Sequence, residues 1–216
     1  MAEVEQRLNI CVRAADYNKN VAAPLPSTHQ ILMICELKNI HPNIIHIDAH
    51  QKNMGSFLNF VTSGKLPAII YGNEEPYRAI DDAEEIVEFL DETYPNPPLK
   101  SFSKSALNIQ RRNFLSAFRK MLKNHSGEEK LLEELQWLNI KLKEKKTRFL
   151  DGDTIKLPDC YLLPLLHLIR VAGKVNKFEI PEKFTRVWDY IRAANELPAF
   201  TNHMPPDDLI IKHWCN

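Results

Sequence analysis

The stretch KLPAIIYGNEEPYRAIDDAEEIVEFLDETYP, residues 65–95, decides the fold. Ala68 to Tyr71 is a short apolar run that reads as a strand. Gly72-Asn73 supplies a turn, and Tyr77 to Ile80 a second strand. Asp81 or Asp82 then caps a helix, with Glu84 or Glu85 three residues on in capping-box position. Ala83, Ile86, Phe89 and Leu90 recur at helical spacing and face inward. The order is β-β-α.

Towards the N-terminus, RLNICVR (7–13) alternates Leu8, Ile10 and Val12 with polar neighbours, which is the strand period. DYNKNVAAPLP (16–26) reads as a polar loop, and Pro24 and Pro26 forbid an earlier helix start. Ser27 or Thr28 is expected to cap a helix running to about Lys38. Its apolar face is Ile31, Leu32, Ile34, Cys35 and Leu37, and Pro42 stops it. Ile44, Ile45 and Ile47 form a strand, so the start is β-α-β with a right-handed crossover and a parallel pair. HQKNMGSFLNF (50–60) reads as a weak helix. Towards the C-terminus, YPNPPLKS (94–101) is a proline-stiffened linker. It separates an α/β domain, 1–93, from an all-helical domain, 102–216. The helical domain carries apolar periodicity at 108–124, 128–146, 158–172, 181–194 and 207 to about 214. Residues 158–172 are nearly all apolar and should form its central buried helix.

The chain has 216 residues, with 28 Lys+Arg against 28 Asp+Glu. A balanced charge does not suit a nucleic-acid partner, and six glycines leave little room for phosphate-cradling loops. Cys11, Cys35, Cys160 and Cys215 make no C-x-x-C pair, so they read as buried free thiols of a reducing compartment. The polar, acidic start MAEVEQRLN is no signal peptide, and no apolar run reaches the length of about 18 residues that a spanning helix needs. A cytoplasmic location is expected. His46 and His50 lack a helical zinc spacing, so no metal site is expected. His167 reads as a core histidine bonded to backbone. The basic run KLKEKKTR (141–148) reads as a solvated helix end, with a patch for anionic lipid as the other reading.

RFLDGDTIKLPDCYLLPLLHLIRV (148–171) carries a resemblance. With LPAIIYG (66–72), EFLDETYP (88–95) and IPEKFTRVWDYIRAA (180–194), it is similar to the chloride intracellular channel (CLIC) family of the glutathione transferase fold. The resemblance implies a thioredoxin-like N-terminal domain followed by an all-α C-terminal domain. It also implies a glutathione cleft at the start of the first helix. There the family has Cys-Pro-Phe-Ser, and this chain has Leu25-Pro26-Ser27-Thr28. Leu25 carries no nucleophile, Ser27 and Thr28 are taken as helix caps, and Cys35 lies too far into the helix to substitute.

The same resemblance implies a cis Pro67 after Leu66, exposing backbone to the cysteinyl part of glutathione. It places an acidic-then-hydroxyl pair at Asp82-Ala83 for the γ-glutamyl end, where Ala83 has lost the hydroxyl. The expected cleft is therefore degenerate: Leu66, Pro67 and Asp82 kept, Leu25 and Ala83 altered. The expectation is a non-enzymatic CLIC-like protein with no catalytic residue and glutathione at most a weak ligand. It would associate with membrane lipid or with a cytoskeletal or other protein partner, in an oligomeric state left open. The family's chloride-channel label fits the residues poorly. Glu36 and Lys38, central in a segment from Leu25 to about Ile47, would each oppose insertion by about 2.5–3.5 kcal/mol unless paired. The alternative is a glutathione-binding oxidoreductase or transferase of the same fold.

Overall fold

The computed structural model describes residues 8–50, 57, 59–61, 63–72, 75–124 and 126–215. β1 (Leu8–Ala15) is the axis of the first unit. It pairs in parallel with β3 (Asn43–Ile47), from Asn9↔Asn43 to Arg13↔Ile47. On its other side it pairs antiparallel with β4 (Ala68–Tyr71), which pairs antiparallel with β5 (Arg78–Ile80). The helix between the parallel strands is α1 (Pro26–Leu37), as the β-α-β reading requires. Successive strand residues point to opposite faces. Cys11, Ile47, Ala68 and Ile70 form one buried layer with Phe57 and Val61. Ile10, Val12 and Ile69 are fully buried on the other face, where α2 (Ala83–Thr93) packs on β4 and on α1.

Two sequence expectations change here. The supposed loop 16–26 contains a strand, β2 (Asn18–Ala22), which folds back on the end of β1. Asn18 to Val21 are all exposed, so no buried face existed to show a period of two. Ser27 and Thr28 do not cap α1. Leu25 is the N-cap, with extended backbone (φ −94°, ψ 130°) and no side-chain cap, and Pro26 holds the first helical position. Proline's fixed φ and missing N–H suit that position, and this moves the helix start ahead of the hydroxyls. The expected weak helix at 50–60 lies largely outside the described residues.

The chain divides into two compact units, Met1–Pro97 and Pro98–Asn216. The second contains α3 (Lys104–Leu107), a 3-10 turn (Asn108–Arg111), α4 (Phe114–Asn124) and α5 (Glu128–Lys145). These are followed by α6 (Leu157–Val175), α7 (Thr185–Asn195), α8 (Pro198–Thr201) and α9 (Asp207–Trp214). The helix expected over 108–124 is broken at Arg112, whose backbone is extended. Its guanidinium reaches the buried Glu134 at 2.5 Å and lies over the Trp137 ring at 4.3 Å. α6 is the buried centre and packs against α4, α7 and α9. His167 on α6 bonds the Pro205 carbonyl at 3.2 Å. Among the described residues, no helix is long and apolar enough to cross a membrane.

Asp159, fully buried at the start of α6, joins three segments. Its carboxylate accepts from Leu150 N–H (2.9 Å), Lys156 N–H (2.8 Å) and Tyr190 O–H (2.8 Å). Burial pushes its pKa up to about 6 despite these bonds. A raised carboxyl pKa means that the native chain holds a proton the unfolded chain has lost. Stability therefore falls as pH rises from the ordinary carboxyl pKa towards 6, then levels off. We expect the stability of the wild type minus that of Asp159→Asn to fall by about 2 kcal/mol between pH 4 and 7. Urea titrations followed by tryptophan fluorescence check this, and a flat difference would refute it.

Candidate functional site

Strand register assembles the site. The β1–β4 ladder ends at Cys11↔Ala68, so Leu66-Pro67 lie just ahead of β4, at the end of the sheet towards which β1 runs. The Arg13 carbonyl accepts Ala23 N–H at 2.7 Å, and Leu25 N–H bonds the Ala23 carbonyl at 2.7 Å. The segment leading into α1 is thus anchored to the same end of β1. The β4–β5 ladder ends at Ile69↔Ile80, so Leu66-Pro67 just precede β4 and Asp82-Ala83 just follow β5 at the same end of the sheet. Leu25, Leu66-Pro67 and Asp82-Ala83, far apart in sequence, lie at one end of one sheet.

Each segment brings polar backbone. His29 N–H makes the first intrahelical bond of α1, to Leu25 O at 3.1 Å. The amides of Ser27 and Thr28 precede it and have no acceptor in the helix. The Thr28 hydroxyl is buried without a hydrogen-bond partner. The Leu66–Pro67 peptide is cis, as the resemblance implied. Asp82 is the N-cap of α2, its Oδ1 accepting from Glu84 N–H (2.9 Å) and Glu85 N–H (3.2 Å). Ala83 occupies the first helical position, so its own N–H also lies ahead of the intrahelical ladder. Two helix N-termini therefore present positive dipole ends at this edge of the sheet.

Three residues passed over in the sequence belong to this end. Ser63 donates its hydroxyl to Asp81 Oδ2 and accepts Lys65 N–H at 3.0 Å. Lys65 is exposed next to Leu66. Arg13, the arginine that closes RLNICVR, is a visible but unread signal. Its Nε is buried without a partner and its Nη2 lies 3.5 Å from Asp16 Oδ1. His50 Nε2 meets the same Asp16 oxygen at 2.9 Å and holds that carboxyl below its usual range. Burial pushes Cys11 up to about 11 and Cys35 up to about 12.

A family model described as glutathione S-transferase, N-terminal domain, matches residues 26–93. A crystal structure of dehydroascorbate reductase from Chlamydomonas reinhardtii superposes with a TM-score of 0.80 at 27% identity, covering 96% of this chain and 97% of that one. The chain has a glutathione-transferase-like fold. The "Probable glutathione S-transferase DHAR4" of Arabidopsis thaliana is 29% identical over 96% of this chain and 97% of its own length. The "Chloride intracellular channel Clic" of Drosophila melanogaster is 43% identical, over 43% of this chain and 36% of its own length. Both groups named in these comparisons share the fold: a β/α thioredoxin-like domain followed by helices.

The comparisons correct the functional expectation. The relatives aligned along nearly the whole chain carry enzyme names, whereas the channel relative aligns over less than half of it. The expected non-enzymatic CLIC-like role, and with it the expected lack of activity, does not stand. The physical reason is that Leu25 and Ala83 remove two side chains while leaving the backbone donors around them in place.

Proposed function

We propose that this chain is a glutathione-dependent transferase or oxidoreductase in which the reacting thiolate belongs to the bound tripeptide and not to the protein. The observation that carries the reading is the meeting of the α1 N-terminus, the Leu66 main chain and the capped α2 N-terminus at one sheet end. Glutathione offers three handles that suit these groups. The Leu66 backbone suits its cysteinyl amides, as one more strand-like pairing. Asp82, with one carboxylate oxygen outside the cap, suits its γ-glutamyl ammonium, and Ala83 N–H suits the neighbouring carboxylate. Lys65 suits its glycyl carboxylate. The thiol then faces the Ser27 and Thr28 amides, whose partial positive charge favours the thiolate.

In a transfer reaction the glutathione sulfur forms a bond to an electrophilic carbon. The leaving group departs with its electron pair, and the thiol proton passes to solvent. In a reduction, two glutathione thiols give two electrons and two protons to the substrate and leave as the disulfide. Neither route needs a side-chain nucleophile at Leu25. The free cysteines, three of the four buried, suit a reducing, cytoplasmic setting.

Calorimetric titration with glutathione tests the reading directly, and absence of binding by the wild type would sink it. Asp82→Asn supplies the specific control. Asparagine is as good an N-cap as aspartate, so α2 stays capped while the charge is lost. Removing a charge-assisted bond is expected to raise the glutathione Kd about tenfold or more.

A further inference from the structure

The β4–β5 ladder ends at Ile69↔Ile80, before it reaches the two groups that the proposed cleft uses. Leu66 and Asp82 therefore sit on the open end of a hairpin, where no ladder bond fixes their separation. Ser63 closes that end. Its hydroxyl oxygen accepts Lys65 N–H at 3.0 Å, which folds residues 63–65 into a tight turn just ahead of Leu66. Its proton goes to the Asp81 carboxylate, next to the Asp82 cap. One hydroxyl thus ties the segment carrying Leu66-Pro67 to the segment carrying Asp82-Ala83.

We propose that the Ser63–Asp81 pair is a positioning latch for glutathione, holding the Leu66 backbone and the α2 N-terminus at the spacing the tripeptide bridges. The inference rests on the glutathione-dependent reading above and adds two positioning residues to it. Both latch residues are outside the core, Ser63 exposed and Asp81 half-buried. Losing the latch removes order from a short segment and leaves packing intact. The consequence falls on ligand affinity, because an unlatched segment must be ordered when glutathione binds. It does not fall on the α1 amides, so turnover of the bound tripeptide is unaffected.

Ser63→Ala and Asp81→Ala are each expected to weaken glutathione binding about five- to tenfold, raising the KM for glutathione with kcat unchanged. The double variant should be no worse than either single one, because each removes the same bond. Ser63→Thr keeps the hydroxyl and should restore affinity. Amide hydrogen exchange in the ligand-free protein provides an independent arm. Lys65 and Leu66 should exchange faster in Ser63→Ala than in the wild type, whether or not glutathione binds. Unchanged exchange there, or additive losses in the double variant, would overturn the latch. A wild type that fails to bind glutathione while showing latch-dependent exchange would overturn the functional reading instead.

Discussion

Leu25→Cys should give the protein a thiol that reacts at neutral pH and forms a mixed disulfide with glutathione. Residue 25 is the N-cap of α1, ahead of the Ser27 and Thr28 amides. A thiol at such a helix end falls from an ordinary pKa near 8.5 to a range of about 3.5–7.5. The thiolate, once formed, attacks one sulfur of glutathione disulfide and bonds to it. The other glutathione leaves as a thiolate. At pH 6 alkylation should be about tenfold or more faster than for an unperturbed thiol, the gain in thiolate being partly offset by weaker nucleophilicity. The background is low, because burial raises the pKa values of Cys11, Cys35 and Cys215. Alkylation rate against pH, with mass spectrometry for the adduct, reads the outcome. A midpoint near 8.5 without an adduct would show that the α1 end does not stabilise thiolates. The proposed activation of glutathione would then lose its physical basis.

The legible parts of this chain were those where burial imposes a pattern. β1, β4 and α2 each present a buried face, so their periods show in sequence. The α2 cap was legible to within Asp81 or Asp82, because an aspartate ahead of Glu84 and Glu85 has few other uses, and the structure places it at Asp82. β2 was hidden because its first four residues are exposed, three of them polar, so no buried face sets a period. The break at Arg112 was hidden because it answers to Glu134 and Trp137, partners on another helix.

The site divides in the same way. Leu66-Pro67 and Asp82 could be placed from local motifs. Ser63 and Lys65 could not, since their place depends on a side-chain bond to Asp81, 18 residues on, and not on any local pattern. The functional expectation went astray by weighing side chains alone. Leu25 and Ala83 lack reactive groups, yet each sits at a helix start where the backbone supplies the donors. Ser27 and Thr28 were dismissed as caps, and Pro26 at the first helical position leaves that role to Leu25.

Lys38→Ala should cost the first unit about 3–5 kcal/mol, the cost of breaking a buried ion pair from one side. The Lys38 side chain is fully buried at the end of α1. Its ammonium meets Asp91 Oδ1 at 2.8 Å, Tyr94 O at 2.6 Å and Pro97 O at 3.1 Å. Two hydrogen bonds and one ion pair thus hold the ammonium, and they tie α1 to the end of α2 and to the chain that leaves it. Glu36, the partner considered for it in a membrane, is not the residue it pairs with. Removing the ammonium leaves a carboxylate and two carbonyls without their donor in a site largely closed to water, and truncation opens a cavity beside them. Adding Asp91→Ala should recover part of the loss, because the stranded charge goes with it. The effect can be located within the chain. Trp137, Trp188 and Trp214 all lie in the second unit, so tryptophan fluorescence follows that unit, while far-ultraviolet circular dichroism follows both. In Lys38→Ala the dichroism transition should begin at lower urea than the fluorescence transition. Loss of both signals together, at the wild-type midpoint, would mean that the buried ammonium contributes nothing to the first unit's stability.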